Sequence, residues 1–112
     1  QLISYGLILR PIIGVELASD RWVQRYKIKG LPVVQVYPGL PAAAAGMMGA
    51  YRGPRGEVVL GDIITEVSGQ SIRSNSDYFD ALEKLSPGDR VVIKSRRGDE
   101  TRSYEVKVIE SQ

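Results

Sequence analysis

Turns built on glycine and proline recur at short intervals along this chain, and they exclude any long helix, heptad array or extended repeat. Pro38-Gly39, Gly61-Asp62, Ser68-Gly69-Gln70, Pro87-Gly88-Asp89 and Gly98-Asp99 each separate two apolar segments. Glycine supplies positive φ at no steric cost and proline pre-sets φ, so both punctuate regular structure. Between these turns the β-branched runs over residues 30–37, 63–67, 91–96 and 102–109 predict strands, with a shorter one over 58–60. The last two long strands flank Arg97-Gly98-Asp99-Glu100 as a hairpin, and Ala50 to Gly56 reads as a loop. Pro11 stops the apolar segment before it, and Gly14 inside Ile12-Ile13-Gly14-Val15-Glu16-Leu17 marks a bulge or a close backbone approach.

Helices are few and short. Residues 41–46 (PAAAAG) carry proline at the first helical turn and glycine just past the last, with Met47 and Met48 expected to pack beneath. Residues 19–28 form a short helix capped by Ser19 or Asp20, with Trp22 as a packing anchor. The main amphipathic helix runs over 74–85. Ser74 or Ser76 caps it, Asp77 and Asp80 suit its positive end, and Tyr78, Phe79, Leu82 and Leu85 recur at helical spacing. Strands and helices in this mixed order give one α+β domain, which fits 112 residues.

Composition narrows function by exclusion. The chain has no histidine and no cysteine, which removes the usual general base, the commonest metal ligand, thiol nucleophiles and disulfides. No cofactor and no catalytic residue is expected. The net charge is only +2 and the basic residues interleave with acidic ones, so Lys94, Arg96 and Arg97 read as the solvated end of a strand rather than a nucleic-acid face. No apolar run is long enough to insert in a membrane. Arg97-Gly98-Asp99 sits where a hairpin turn is needed.

Three segments, in order, resemble the PDZ domains of HtrA/Deg serine proteases. They are Arg10-Pro11-Ile12-Ile13-Gly14-Val15; then Pro41-Ala42-Ala43-Ala44-Ala45-Gly46-Met47 followed by Leu60-Gly61-Asp62-Ile63-Ile64; then Val67-Ser68-Gly69-Gln70 leading into the 74–85 helix and Pro87-Gly88-Asp89. Two departures stand out. Leu40 occupies the position where the family usually has serine, and residues 48–59 are longer than the typical bacterial form. The resemblance implies a PDZ-like fold: a partial barrel of five to six mostly antiparallel strands capped by two helices. Residues 1–10 are then a linker or the end of a preceding protease domain, and 11–112 the PDZ domain.

The resemblance also implies a peptide groove. Ile12, Ile13, Gly14 and Val15 would form a carboxylate-binding loop, Gly14 letting backbone N–H groups converge on one anion. Val15, Glu16, Leu17 and Ala18 would pair with the ligand as an added strand. Ile13, Val15, Phe79 and Leu82 would wall an apolar pocket, with Tyr78 and Arg10 in a secondary groove. The implied partners are C-terminal or extended peptides of unfolded proteins and a linked chymotrypsin-like protease domain, the chain itself being monomeric. The implied compartment is the bacterial periplasm or cell envelope, or alternatively the thylakoid lumen. A freestanding interaction or secretion-assembly domain is the competing reading.

Overall fold

The computed structural model describes residues 11–110. In chain order its elements are β1 (Pro11–Ile12), β2 (Val15–Leu17), α1 (Asp20–Arg25), β3 (Leu31–Val36), α2 (Pro41–Ala44), β4 (Tyr51–Arg52), β5 (Val58–Val59), β6 (Ile63–Val67), β7 (Gln70–Ser71), α3 (Asn75–Glu83), β8 (Arg90–Arg97), β9 (Glu100–Lys107) and β10 (Ile109–Glu110). A six-stranded antiparallel sheet runs in the order β2-β3-β6-β8-β9, with β7 paired to β6. Two small pairs complete the fold, β1 with β10 and β4 with β5.

Alternation along the strands makes one face of this open sheet apolar. In β8, Val91, Ile93 and Ser95 are buried while Val92 and Lys94 face out. Side chains of a strand alternate between faces, so every second residue joins the core. Leu31, Val33, Ile64, Val67, Ile72, Tyr78, Leu82 and Val106 close around that face, α3 supplying Tyr78 and Leu82. Each helix begins where the local chemistry allows. The Ser19 hydroxyl accepts from the Trp22 N–H and the Ser74 hydroxyl from the Asp77 N–H, both at 3.2 Å. The first turn of α2 rests on Pro41 alone, because Leu40 has no side-chain cap to offer.

Three expectations need correction. Met47 is buried but Met48 is 43% exposed. The Met48 N–H donates to Asp62 Oδ2 at 2.8 Å and its carbonyl accepts from the Asp62 N–H at 2.9 Å, and with its backbone pinned on both sides the side chain lies outward. Tyr51 and Arg52, expected in a loop, pair with Val59 and Val58 as a hairpin. The last long strand ends at Lys107, and Ile109 pairs separately with Ile12.

Candidate functional site

β2 is an edge strand of the large sheet, and between it and α3 lies a cleft of about 400 Å³. Its lining includes Ile13, Gly14, Val15 and Leu17 from the first strand segment, and Tyr78, Phe79 and Leu82 from α3. Ile13, Tyr78 and Leu82 are at most 4% exposed and form the floor, whereas Phe79 is 45% exposed and stands at the rim. The apolar wall expected from Ile13, Val15, Phe79 and Leu82 is therefore assembled in one place. Tyr78 lies beneath that same cleft rather than in a separate groove, and burial pushes its hydroxyl pKa up. Arg10 lies outside the described residues.

Backbone directions at the head of the cleft follow from two hydrogen bonds. The Ile13 carbonyl accepts from the Ala42 N–H at 2.8 Å, and the Gly14 carbonyl accepts from the Tyr37 N–H at 3.0 Å. In a trans peptide plane the N–H points opposite to the carbonyl. The N–H groups of Gly14 and Val15 consequently point away from α2 and β3. Consecutive carbonyls turned inward like this need φ of +91° at residue 14, which glycine adopts without strain. Space demands glycine as well, since a Cβ there would lie 2.5 Å from Leu40 Cβ. Strand alternation does the rest. Gly14 faces β3 through its carbonyl and Ala18 through its N–H, which donates to the Pro32 carbonyl at 3.0 Å. The main-chain groups of Val15 and Leu17 between them lie on the open edge.

That edge stops at Ala18. The Asn75 side-chain amide donates to the Ala18 carbonyl and to Asp20 Oδ1, both at 2.9 Å, and the Asn75 N–H donates to Asp20 Oδ1 at 2.8 Å. These bonds tie the start of α3 to the end of β2 and set the cleft's width. They also hold the Asp20 carboxyl below the usual carboxylate range, the backbone bond from Asn75 contributing most. Ala18 itself is buried and lies outside the cleft lining. Ile12 contributes its backbone to β1, one residue before the cleft begins.

Three lining residues were not singled out from sequence as site residues: Tyr37, Leu40 and Asn75. Leu40 carried a signal, as an apolar residue where a helix cap belongs. Tyr37 carried a weaker one, sitting at the end of a strand beside a Pro-Gly turn. Asn75 gave none, since a polar residue at a helix start needs no further explanation.

A family model described as PDZ domain matches residues 11–108. This chain belongs to the PDZ family. The PDZ chain is 37% identical over 99 residues to Protease Do-like 1, chloroplastic, of Arabidopsis thaliana, covering 88% of this chain and 23% of that protein. It is 33% identical over 106 residues to a probable periplasmic serine endoprotease DegP-like of Chlamydia trachomatis, covering 90% of this chain and 19% of that protein. Its curated relatives are thus HtrA/Deg proteases, and the chain spans about a fifth of their length. Among solved structures, the HtrA3 PDZ domain bound to a phage-derived ligand (FGRWV) superposes with a TM-score of 0.68 at 21% identity, covering 95% of this chain and 91% of that one. The likeness extends over the whole fold.

Proposed function

We propose that this PDZ domain captures the free C-termini or exposed apolar segments of unfolded proteins and presents them to a linked serine endopeptidase, whose activity it regulates. The observation that carries the reading is the cleft between the open edge of β2 and α3, with the Gly14 and Val15 N–H groups directed outward at its head. A terminal carboxylate accepts from these two donors. The ligand backbone pairs with Val15 and Leu17, and its last side chain descends between Val15, Phe79 and Leu82 onto Ile13. A pentapeptide ending in valine, like the one in the HtrA3 structure, suits such an apolar floor. Filling the pocket with one aliphatic side chain contributes about 1.5–3 kcal/mol. The periplasm and the chloroplast are the compartments named for its relatives, and the proposal places the parent protein in the bacterial periplasm or cell envelope, with the thylakoid lumen as the alternative.

Matched peptides with a free and an amidated C-terminus test this. A hydrogen bond to a charged group is worth about 1.5–3 kcal/mol, so amidation is expected to weaken binding about ten- to a hundredfold. Phe79→Asp weakens both forms, because it places a charge at the apolar rim. Equal affinity for acid and amide in a calorimetric titration would overturn the carboxylate site.

A further inference from the structure

Glu16 stands out in the cleft for its charge: none of the other residues lining it is acidic or basic. Its carboxylate is held in place, since Tyr37 Oη donates to Glu16 Oε2 at 3.0 Å. The bond joins β2 to the residue that follows β3. Glu16 lies opposite Gln35 and Tyr37 lies diagonally beyond it, a separation that aromatic side chains bridge. Glu16 is exposed, and among the described residues no lysine or arginine forms an ion pair with it. A fixed carboxylate at the rim of a peptide groove, with a second oxygen still available, is suited to receive a cation.

Register decides which ligand residue meets it. Val15 and Leu17 pack against the core while Glu16, between them, faces the other way. An added strand alternates in the same manner. If the last ligand side chain enters the pocket, the penultimate one emerges on the opposite face, beside Glu16 and Tyr37. We propose that the Glu16–Tyr37 pair makes this cleft select a basic residue at the penultimate position of its ligand. The proposal rests on the carboxylate-anchored reading above. A lysine or arginine there would also lay its aliphatic stem along the Tyr37 ring, which is 37% exposed.

The test uses free-acid pentapeptides that end in valine and differ only by Lys, Ala or Glu at the penultimate position. At about 20 mM salt the Lys peptide is expected to bind the 112-residue chain about two- to fivefold tighter than the Ala peptide, with the Glu peptide weakest, as for an exposed ion pair. At about 0.5 M salt the three should converge, because screening removes such interactions. Glu16→Gln brings the Lys-to-Glu ratio to about one, and Glu16→Lys inverts it. Only ratios are compared, so a general loss of affinity in a variant does not obscure the result, and the salt series on the unaltered chain needs no variant at all. Equal binding of the three peptides at low salt, with the acid-over-amide preference intact, overturns the penultimate selection and leaves the carboxylate site standing. A Lys preference that survives Glu16→Gln overturns the role of Glu16. Failure of every free-acid peptide to bind overturns both proposals together.

Discussion

At the scale of single residues, the cleft depends on a contact between Gly14 and Leu40 that only the folded structure reveals. The glycine was legible as a backbone exception, since an isolated glycine in an apolar strand signals a bulge or a close approach. What it approaches was not legible, because Leu40 is twenty-six positions away and looked only like a missing cap. Gly14→Ala is expected to cost about 2–3 kcal/mol in urea unfolding, one part from a positive φ and another from crowding against Leu40. The crowding atoms are Leu40 Cβ, Cγ and Cδ1, at 2.5, 3.2 and 2.8 Å from the added carbon. Leu40→Gly removes all three. In that background Gly14→Ala should therefore cost about 1 kcal/mol less, the strained φ alone remaining. Additive costs in the double-mutant cycle would show that Leu40 moves aside freely. The residue-level misreadings share a cause. Met48 and Met47 are indistinguishable by hydrophobicity, and only the backbone bonds to Asp62 turn Met48 outward.

At the scale of elements, the sequence was most informative where a period was long enough to count. The helix at Asn75–Glu83 falls where helical spacing placed it, and the strands at Ile63–Val67 and Leu31–Val36 fall where β-branched runs between turns placed them. β5 lies within the short strand expected over 58–60, but its partner β4 lies in a stretch that reads as loop, because a two-residue strand has no period and Gly53-Pro54-Arg55-Gly56 dominates the segment's composition. How elements are fastened to one another was less legible still. α3 is held against β2 and α1 by Asn75, and the three bonds involved join residues more than fifty positions apart. Asn75→Ala removes the two side-chain bonds and keeps the backbone bond to Asp20. It should cost about 1–2 kcal/mol, since the Ala18 carbonyl loses its partner. It should also let the Asp20 carboxyl titrate at higher pH, by part of its present lowering, because the larger, backbone contribution survives. Stability read by urea unfolding and the Asp20 titration read by NMR ought to change together. An unchanged Asp20 titration would mean that the side-chain bonds do not fasten α3.

At the scale of the whole molecule, one buried carboxylate joins the loop after α2, the central strand β6 and the β8–β9 hairpin, and it sets the response to acid. Asp62 is fully buried and accepts from Ser95 Oγ at 2.7 Å, Arg97 Nη2 at 2.9 Å, the Met48 N–H at 2.8 Å and Tyr104 Oη at 3.1 Å. Gly61 makes the approach possible, since any Cβ there would strike the carbonyl oxygens of Met48 and Gly49. Burial alone pushes the Asp62 carboxyl up, but Arg97 and the other donors outweigh it and hold the group below its ordinary value. The unfolded chain, with an ordinary aspartate pKa of about 3.9, therefore takes up this proton at higher pH than the folded chain does. The stabilisation is fully present above that unfolded pKa and is lost as pH falls through the lower, folded one. With no histidine in the chain, no side chain is expected to titrate in its ordinary range between the carboxylates and neutrality. Urea unfolding should accordingly give a stability that is flat near pH 6 and declines below about pH 4. Asp62→Asn, which keeps the shape but weakens the bonds to Arg97 and Ser95, should lower stability near pH 6 by about 2–3 kcal/mol. The same variant should flatten the acid decline without abolishing it, because Asp20 is shifted in the same direction and remains. An acid decline of unchanged slope in Asp62→Asn would assign the pH response to surface carboxylates and leave the buried network a purely neutral-pH role.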